Sequence, residues 1–101
     1  VNKIDWKNRS AEIGIVMGDK ESRGKGYATQ ALKLVVEHAF MKLNLRRLFA
    51  EIVDGNEASK RIFTRVGFKL EGTYREHFYL NGEYYDCHLY GLLKKEYFEN
   101  V

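Results

Sequence analysis

The chain lacks proline altogether and has a single cysteine and a single tryptophan among its 101 residues. The absence of proline excludes a polyproline linker or recognition segment. Cys87 alone cannot close a disulfide within the chain, and it leaves a cysteine-based zinc site short of ligands. No metal is expected. No apolar run approaches the roughly 20 residues that a membrane helix needs, and no secretory signal opens the sequence. A cytoplasmic setting without a membrane partner is therefore expected. Charge of one sign is scarce as well: 17 basic and 14 acidic residues leave a net +3, scattered along the chain. Such a balance tolerates an anionic partner without requiring one. There is no initiator methionine, and Val1 to Ile4 reads as the end of a strand already in progress. That points to a piece of a longer polypeptide.

What is present is ordinary globular material, with 45% hydrophobic and 31% charged residues. It suits one small domain spanning residues 1–101, not a disordered chain. No repeat, linker or low-complexity segment interrupts it. Asp5 to Ser10 is polar and reads as a turn. Ala11 to Met17 is rich in Ile and Val and reads as a strand. Gly18 to Gly26 holds three glycines and reads as a loop. Tyr27 to Leu43 reads as one long helix with Ala28, Ala31, Leu32, Val35, Ala39 and Leu43 on its apolar face, closed by Asn44. Arg47 to Val53 is a second strand. Glu57 to Val66 is a shorter helix, N-capped by Asn56, with Ala58, Ile62 and Val66 along one side, and ended by Gly67. Phe68 to Leu70 opens a strand. Tyr74 to Leu80 and Glu83 to Leu92 flank Asn81-Gly82, a strong hairpin signal. The implied class is α/β with a mixed sheet: a parallel βαβ unit, then a helix and an antiparallel hairpin.

The segment Arg23-Gly24-Lys25-Gly26-Tyr27-Ala28-Thr29 joins the first strand to the long helix. Glycines there let backbone N–H groups converge, the helix N-terminus adds partial positive charge, and Arg23 and Lys25 add whole charges, so the segment reads as an anion nest. It is not a P-loop, because Gly26 follows Lys25 where a hydroxyl is needed. It is not a dinucleotide fingerprint, because Thr29 takes the place of the third glycine. After the second strand comes Asn56-Glu57-Ala58-Ser59-Lys60-Arg61-Ile62-Phe63-Thr64-Arg65-Val66-Gly67-Phe68.

Taken together and in this order, the two segments resemble those of the GNAT superfamily of acetyl-CoA-dependent N-acetyltransferases, and the match runs from Ala11 to about Leu93. Leu43 to Arg47, Glu71 to Glu76 and Asn81-Gly82 look like the branch of ribosomal-protein alanine and spermidine acetyltransferases. The resemblance implies the C-terminal portion of a GNAT domain, lacking the elements that normally wall the acceptor site. It also implies acetyl-CoA as co-substrate and transfer of acetyl to a primary amine: a protein N-terminus, a polyamine, an amino sugar or another small amine. The cofactor residues it implies are Ile15, Val16, Met17 and Gly18 for the pantetheine arm, Arg23 to Thr29 for the pyrophosphate, and Asn56, Ser59 and Phe63 on the second helix. Backbone N–H at Met17 or Gly18 would meet the developing oxyanion. Two positions depart from the family pattern. Glu21 stands where Gln or Arg is common, and Phe63 stands where many members have the tyrosine credited with protonating the departing thiolate.

An ammonium cannot attack a thioester, so a base must take its proton. Glu12 is the first candidate, sharing a strand face with Gly14 and Val16, and Glu51 the second; either also suits a plain strand surface. Ser59 lies one helical turn before Phe63 and is the candidate acid, or else a first-turn serine satisfied by its own helix. Cys87 has no paired base nearby and reads as a small strand residue. A simple two-residue hairpin sets His77 opposite Asp86 and His88 opposite Arg75. Phe78, Tyr79, Tyr84, Tyr85 and Tyr90 read as cross-strand packing before a base-stacking platform. A small basic module that binds RNA or protein, and a relic that binds coenzyme A without turnover, stay open as alternatives. No nucleic-acid partner is expected except by way of the ribosome. The strand Ala11 to Met17 is expected to have an exposed edge that Val1 to Ile4 covers incompletely. A homodimer pairing through strands, or a longer polypeptide, would resolve it.

Overall fold

The structure, a computed structural model, describes residues 3–14 and 27–99. Strands β1 (Lys3–Asp5), β2 (Ser10–Glu12), β3 (Arg47–Val53), β4 (Lys69–Leu80) and β5 (Glu83–Leu93) form one sheet in the order β1-β2-β3-β5-β4. β2 and β3 run parallel and the other neighbours antiparallel, so the mixed sheet read from the sequence is present. Helices α1 (Tyr27–Glu37), α2 (Glu57–Val66) and the short α3 (Lys94–Glu99) complete the described chain. α3 falls in a tail for which the sequence pattern implied no element.

β3 organises the layers. Its burial alternates with the pleat, so Leu48, Ala50 and Ile52 turn to one side. There they join Ala11 and Ile13, Tyr90 and Leu92, and the helical residues Leu32, Val36, Phe40 and Phe63 in one core. Ile62, Val66 and Tyr97 pack onto the same cluster, so all three helices lie on that side.

Several boundaries differ from the sequence reading. The long helix is α-helical only to Glu37 and continues as a π-helical turn, His38–Lys42, closed by the Leu43 amide donating to His38 O at 3.1 Å. The wider turn lets the adjacent Ala39 and Phe40 both be buried. The buried stripe is Thr29, Leu32, Val36, Ala39 and Phe40, whereas Ala31 is exposed. Asn44 does end the segment, in the left-handed region at φ 56°. On α2 the most buried positions are Ser59 and Phe63, one residue on from the expected Ala58-Ile62-Val66 line. β2 has no open edge within the described residues: all three of its residues pair with β1, and the edges of the sheet are β1 and β4. Ile15 to Met17, the rest of the expected first strand, lie outside the described residues.

The hairpin turns at Asn81-Gly82, both with positive φ (51° and 84°) as a tight primed turn requires. β4 is a single strand from Lys69, with irregularities at Leu70/Gly72 and Tyr74/Phe78. At the second, Arg75, Glu76 and His77 face Asp86 alone. Glu76 takes φ 49° and its amide donates to Asp86 Oδ1 at 2.8 Å. This bulge shifts the register, so His88 pairs with Thr73 and not Arg75, and His77 leaves the ladder. His77 sits instead between Tyr74 and Phe78, with both ring centroids 5.1 Å away. Tyr79 and Tyr84 form the expected cross-strand aromatic pair, 5.0 Å apart.

On the sheet side away from the helices, Arg47 reaches Glu71 through two hydrogen bonds of 2.8 and 2.5 Å. The Glu71 carboxylate lies directly over Gly91, so that a Cβ there would collide with it. The Arg47 hydrogen bond holds the Glu71 pKa below the usual glutamate range against the opposing pull of burial. The pair therefore adds stability above that range, lost as acid protonates Glu71. Gly91→Ala is expected to cost about 1 kcal/mol by displacing Glu71, and nearly nothing in a Glu71→Ala background. Urea melts of the four chains check this; equal costs in both backgrounds would place the strain elsewhere.

Candidate active site

The turn Asp54-Gly55-Asn56 carries the chain from β3 into α2. Asn56 is the N-cap, its side chain accepting from the Ser59 amide at 3.3 Å. This satisfies one of the N–H groups that a helix start leaves without a partner. Gly67 closes α2 in the left-handed region at φ 118°. Ser59 and Phe63 share the buried face of the helix. The Phe63 ring meets Phe68 edge-on at 5.0 Å and 88°. At this position the chain has an apolar ring in the core and no hydroxyl.

Glu12 and Glu51 come from the two parallel strands. Glu12 is in register with Phe49, and Glu51 follows Phe49 by two residues, so the three share the sheet face away from the helices. Cys87, opposite Val53, belongs to that face too and is fully buried. Burial raises its thiol pKa first, and the charges of Glu51 and Glu12 raise it further. The two carboxylates are therefore near enough to act electrostatically on one sulfur, and that sulfur is held protonated and poor as a nucleophile.

Thus the described residues hold Asn56 and Ser59 at the start of α2, Phe63 one turn further along it, and Glu12 with Glu51 on one sheet face. Tyr27, Ala28 and Thr29 form the first turn of α1, Tyr27 exposed and Thr29 buried. Ile15, Val16, Met17, Gly18, Arg23, Gly24, Lys25 and Gly26 lie outside the described residues. β2 and β3 stay joined as far as the Ile13 amide, which donates to Phe49 O at 2.8 Å.

One cluster went unread in the sequence. His88 Nε2 is 2.9 Å from Asp54 Oδ1, and its Nδ1 is 3.1 Å from Thr73 Oγ1. Lys60 Nζ also reaches Asp54, at 3.4 Å, and Glu57, at 3.0 Å. The Asp54 pKa is lowered, chiefly by the His88 hydrogen bond and then by that of Lys60. Nothing in the local pattern marks this cluster, because the bulge at Arg75–His77 is what brings Thr73 opposite His88. Among the described residues no group of three or more His, Cys, Asp or Glu side chains could hold a metal ion. None of the described helices is long and apolar enough to cross a membrane.

Residues 1–69 match the model of the acetyltransferase (GNAT) domain family. YdaF of Bacillus subtilis, a protein named for ribosomal N-acetylation, is 40% identical over 96 residues, covering 95% of this chain and 52% of that protein. The spermidine N(1)-acetyltransferase of Escherichia coli is 37% identical over 82 residues, covering 81% of this chain and 44% of that one. The crystal structure of the Vibrio cholerae spermidine N-acetyltransferase, a complex with CoA and spermine, superposes with a TM-score of 0.86 at 29% identity, over 94% of this chain and 56% of that one. The chain thus spans about half the length of the curated relatives it matches. With the family model covering Val1 to Lys69, and the fold superposing on a solved relative over 94% of the chain, the chain belongs to the GNAT acetyltransferase domain family.

Proposed function

We propose that the chain carries the cofactor-side portion of an acetyl-CoA-dependent N-acetyltransferase acting on a primary amine. The observation that carries this reading is the start of α2, where the Asn56 cap and the buried Ser59 stand beside the end of β3. The donor set suits the co-substrate. Asn56 offers an amide to the pantetheine amides, and the sequence from Arg23 to Thr29 offers backbone N–H groups and two cations to the pyrophosphate. Acetyl-CoA supplies an activated thioester.

The chain's own groups would then manage protons. Glu12, with Glu51 behind it, takes the proton from the incoming ammonium, directly or through water. The charge of both carboxylates also favours a cationic acceptor over a neutral one. This fits the acceptors in the names of two relatives from Escherichia coli, spermidine and a ribosomal-protein serine. Ser59 assists departure by donating a hydrogen bond to the departing thiolate, which takes its proton from water; since a thiol has a pKa near 8.5, that help is not obligatory. Acceptor-side walls and any self-association belong to the whole protein. A second reading, a coenzyme A-binding domain without turnover, is favoured by Phe63, whose ring brings no hydroxyl.

One measurement tests the cofactor site that both readings share, and a second separates them. Gly26→Val is expected to abolish acetyl-CoA binding in calorimetry, because a branched side chain blocks close backbone approach to the pyrophosphate; affinity equal to the parent removes the glycine loop from the site. Ser59→Ala is expected to lower kcat about tenfold while changing the acetyl-CoA Kd by less than about twofold. If neither the parent nor Ser59→Ala releases thiol from acetyl-CoA with spermidine or an N-terminal peptide as acceptor, yet both bind it, the reading without turnover stands.

A further inference from the structure

The turn that starts α2 is tied to β5 at two points. The Asp54 amide donates to Asp86 O at 2.9 Å. The Asp54 carboxylate takes the His88 hydrogen bond at 2.9 Å. A carboxylate only accepts, so Nε2 of His88 carries the hydrogen, and Nδ1 of the neutral ring can accept from the Thr73 hydroxyl. The His88 side chain is 17% exposed and that of Asp54 56%. An inward ring, backed by β4, thus holds an outward carboxylate. Lys60 brings a cation to the same oxygen from within α2. Asn56 follows Asp54 by two residues, its amide donating to Val53 O at 3.1 Å, and its side chain then caps Ser59.

We infer that His88, through Asp54, is a positioning residue that fixes Asn56 and Ser59 against the sheet; the inference rests on reading that helix start as the site that binds the cofactor and assists thiolate departure. It gives the bulge of β4 a purpose as well. Without the shift at Arg75–His77, Thr73 would not stand opposite His88 to back the ring.

The test follows amide hydrogen exchange at Ser59 by NMR in the full chain, beside acetyl-CoA affinity and turnover. His88→Ala and Asp54→Ala are each expected to speed exchange at Ser59 about fivefold and to weaken acetyl-CoA binding by a similar factor. The double variant is expected to be no worse than either single one. His88→Gln, whose amide can still donate to Asp54, is expected to return both values to within about twofold of the parent. Parent-like exchange in the alanine variants, additive effects in the double variant, or a glutamine variant no better than alanine overturns the proposal. Should His88→Ala fail to fold, Asp54→Ala at the exposed end of the pair decides it. A parent chain that does not bind acetyl-CoA would overturn the functional reading, while the exchange comparison would still decide the role of His88.

Discussion

β3 pairs along its whole length with β5 and, at its start, in parallel with β2, and its two-residue period sorts the side chains of three strands at once. Leu48, Ala50 and Ile52 are thereby committed to the helices, and Arg47, Phe49 and Glu51 to the opposite side. A slip of one residue would put Glu51 into the core and Ile52 outside it, which burial forbids. Both chemical features of the chain follow from this one register. Glu12 meets the face of Glu51 because β2 pairs Glu12 with Phe49. The turn after Val53 delivers Asn56 because β3 ends where β5 still continues.

The two sides of the sheet do different work. The helical side is apolar and tightly buried, and α2 is set on it by Phe63 against Phe68 and by its two caps. The other side mixes charged and apolar groups: the Arg47–Glu71 pair over Gly91 at one end, then Glu12 and Glu51, with buried Cys87 opposite Val53 at the far end. Arg47 also lies 5.7 Å over the Phe49 ring, so its charge is held by a carboxylate and an aromatic face together. With Glu71 held in this ion pair, its charge is committed to Arg47.

β4 and β5 link the two sides. Their bulge turns Arg75–His77 out of the ladder and resets the pairing below it. Through that reset, Thr73, His88 and Asp54 form a chain of contacts from β4 to the start of α2. The hairpin is thus more than a lid on the sheet edge, since it bears on the same turn that carries the Asn56 cap.

Much of this was legible in the residues themselves. β3 and α2 have the bounds read from the pattern, Asn56 caps and Gly67 closes as those residue types do, and Asn81-Gly82 turns the hairpin, because caps and tight turns are local hydrogen-bond and φ requirements written within four residues. The order of the glycine loop and the Asn56–Phe68 segment likewise carries the family resemblance in the sequence itself. Tertiary structure alone decided the rest. Which face of α1 is buried, and its change to a π turn at His38, depend on seating Ala39 and Phe40 together in a core built by other segments. The bulge between Tyr74 and Phe78 has no proline or glycine to announce it, so His88 could be paired with Thr73 and Asp54 only once the strands were side by side. The nearness of Glu12, Glu51 and Cys87 is set by register among three strands distant in sequence, a constraint that no local pattern contains.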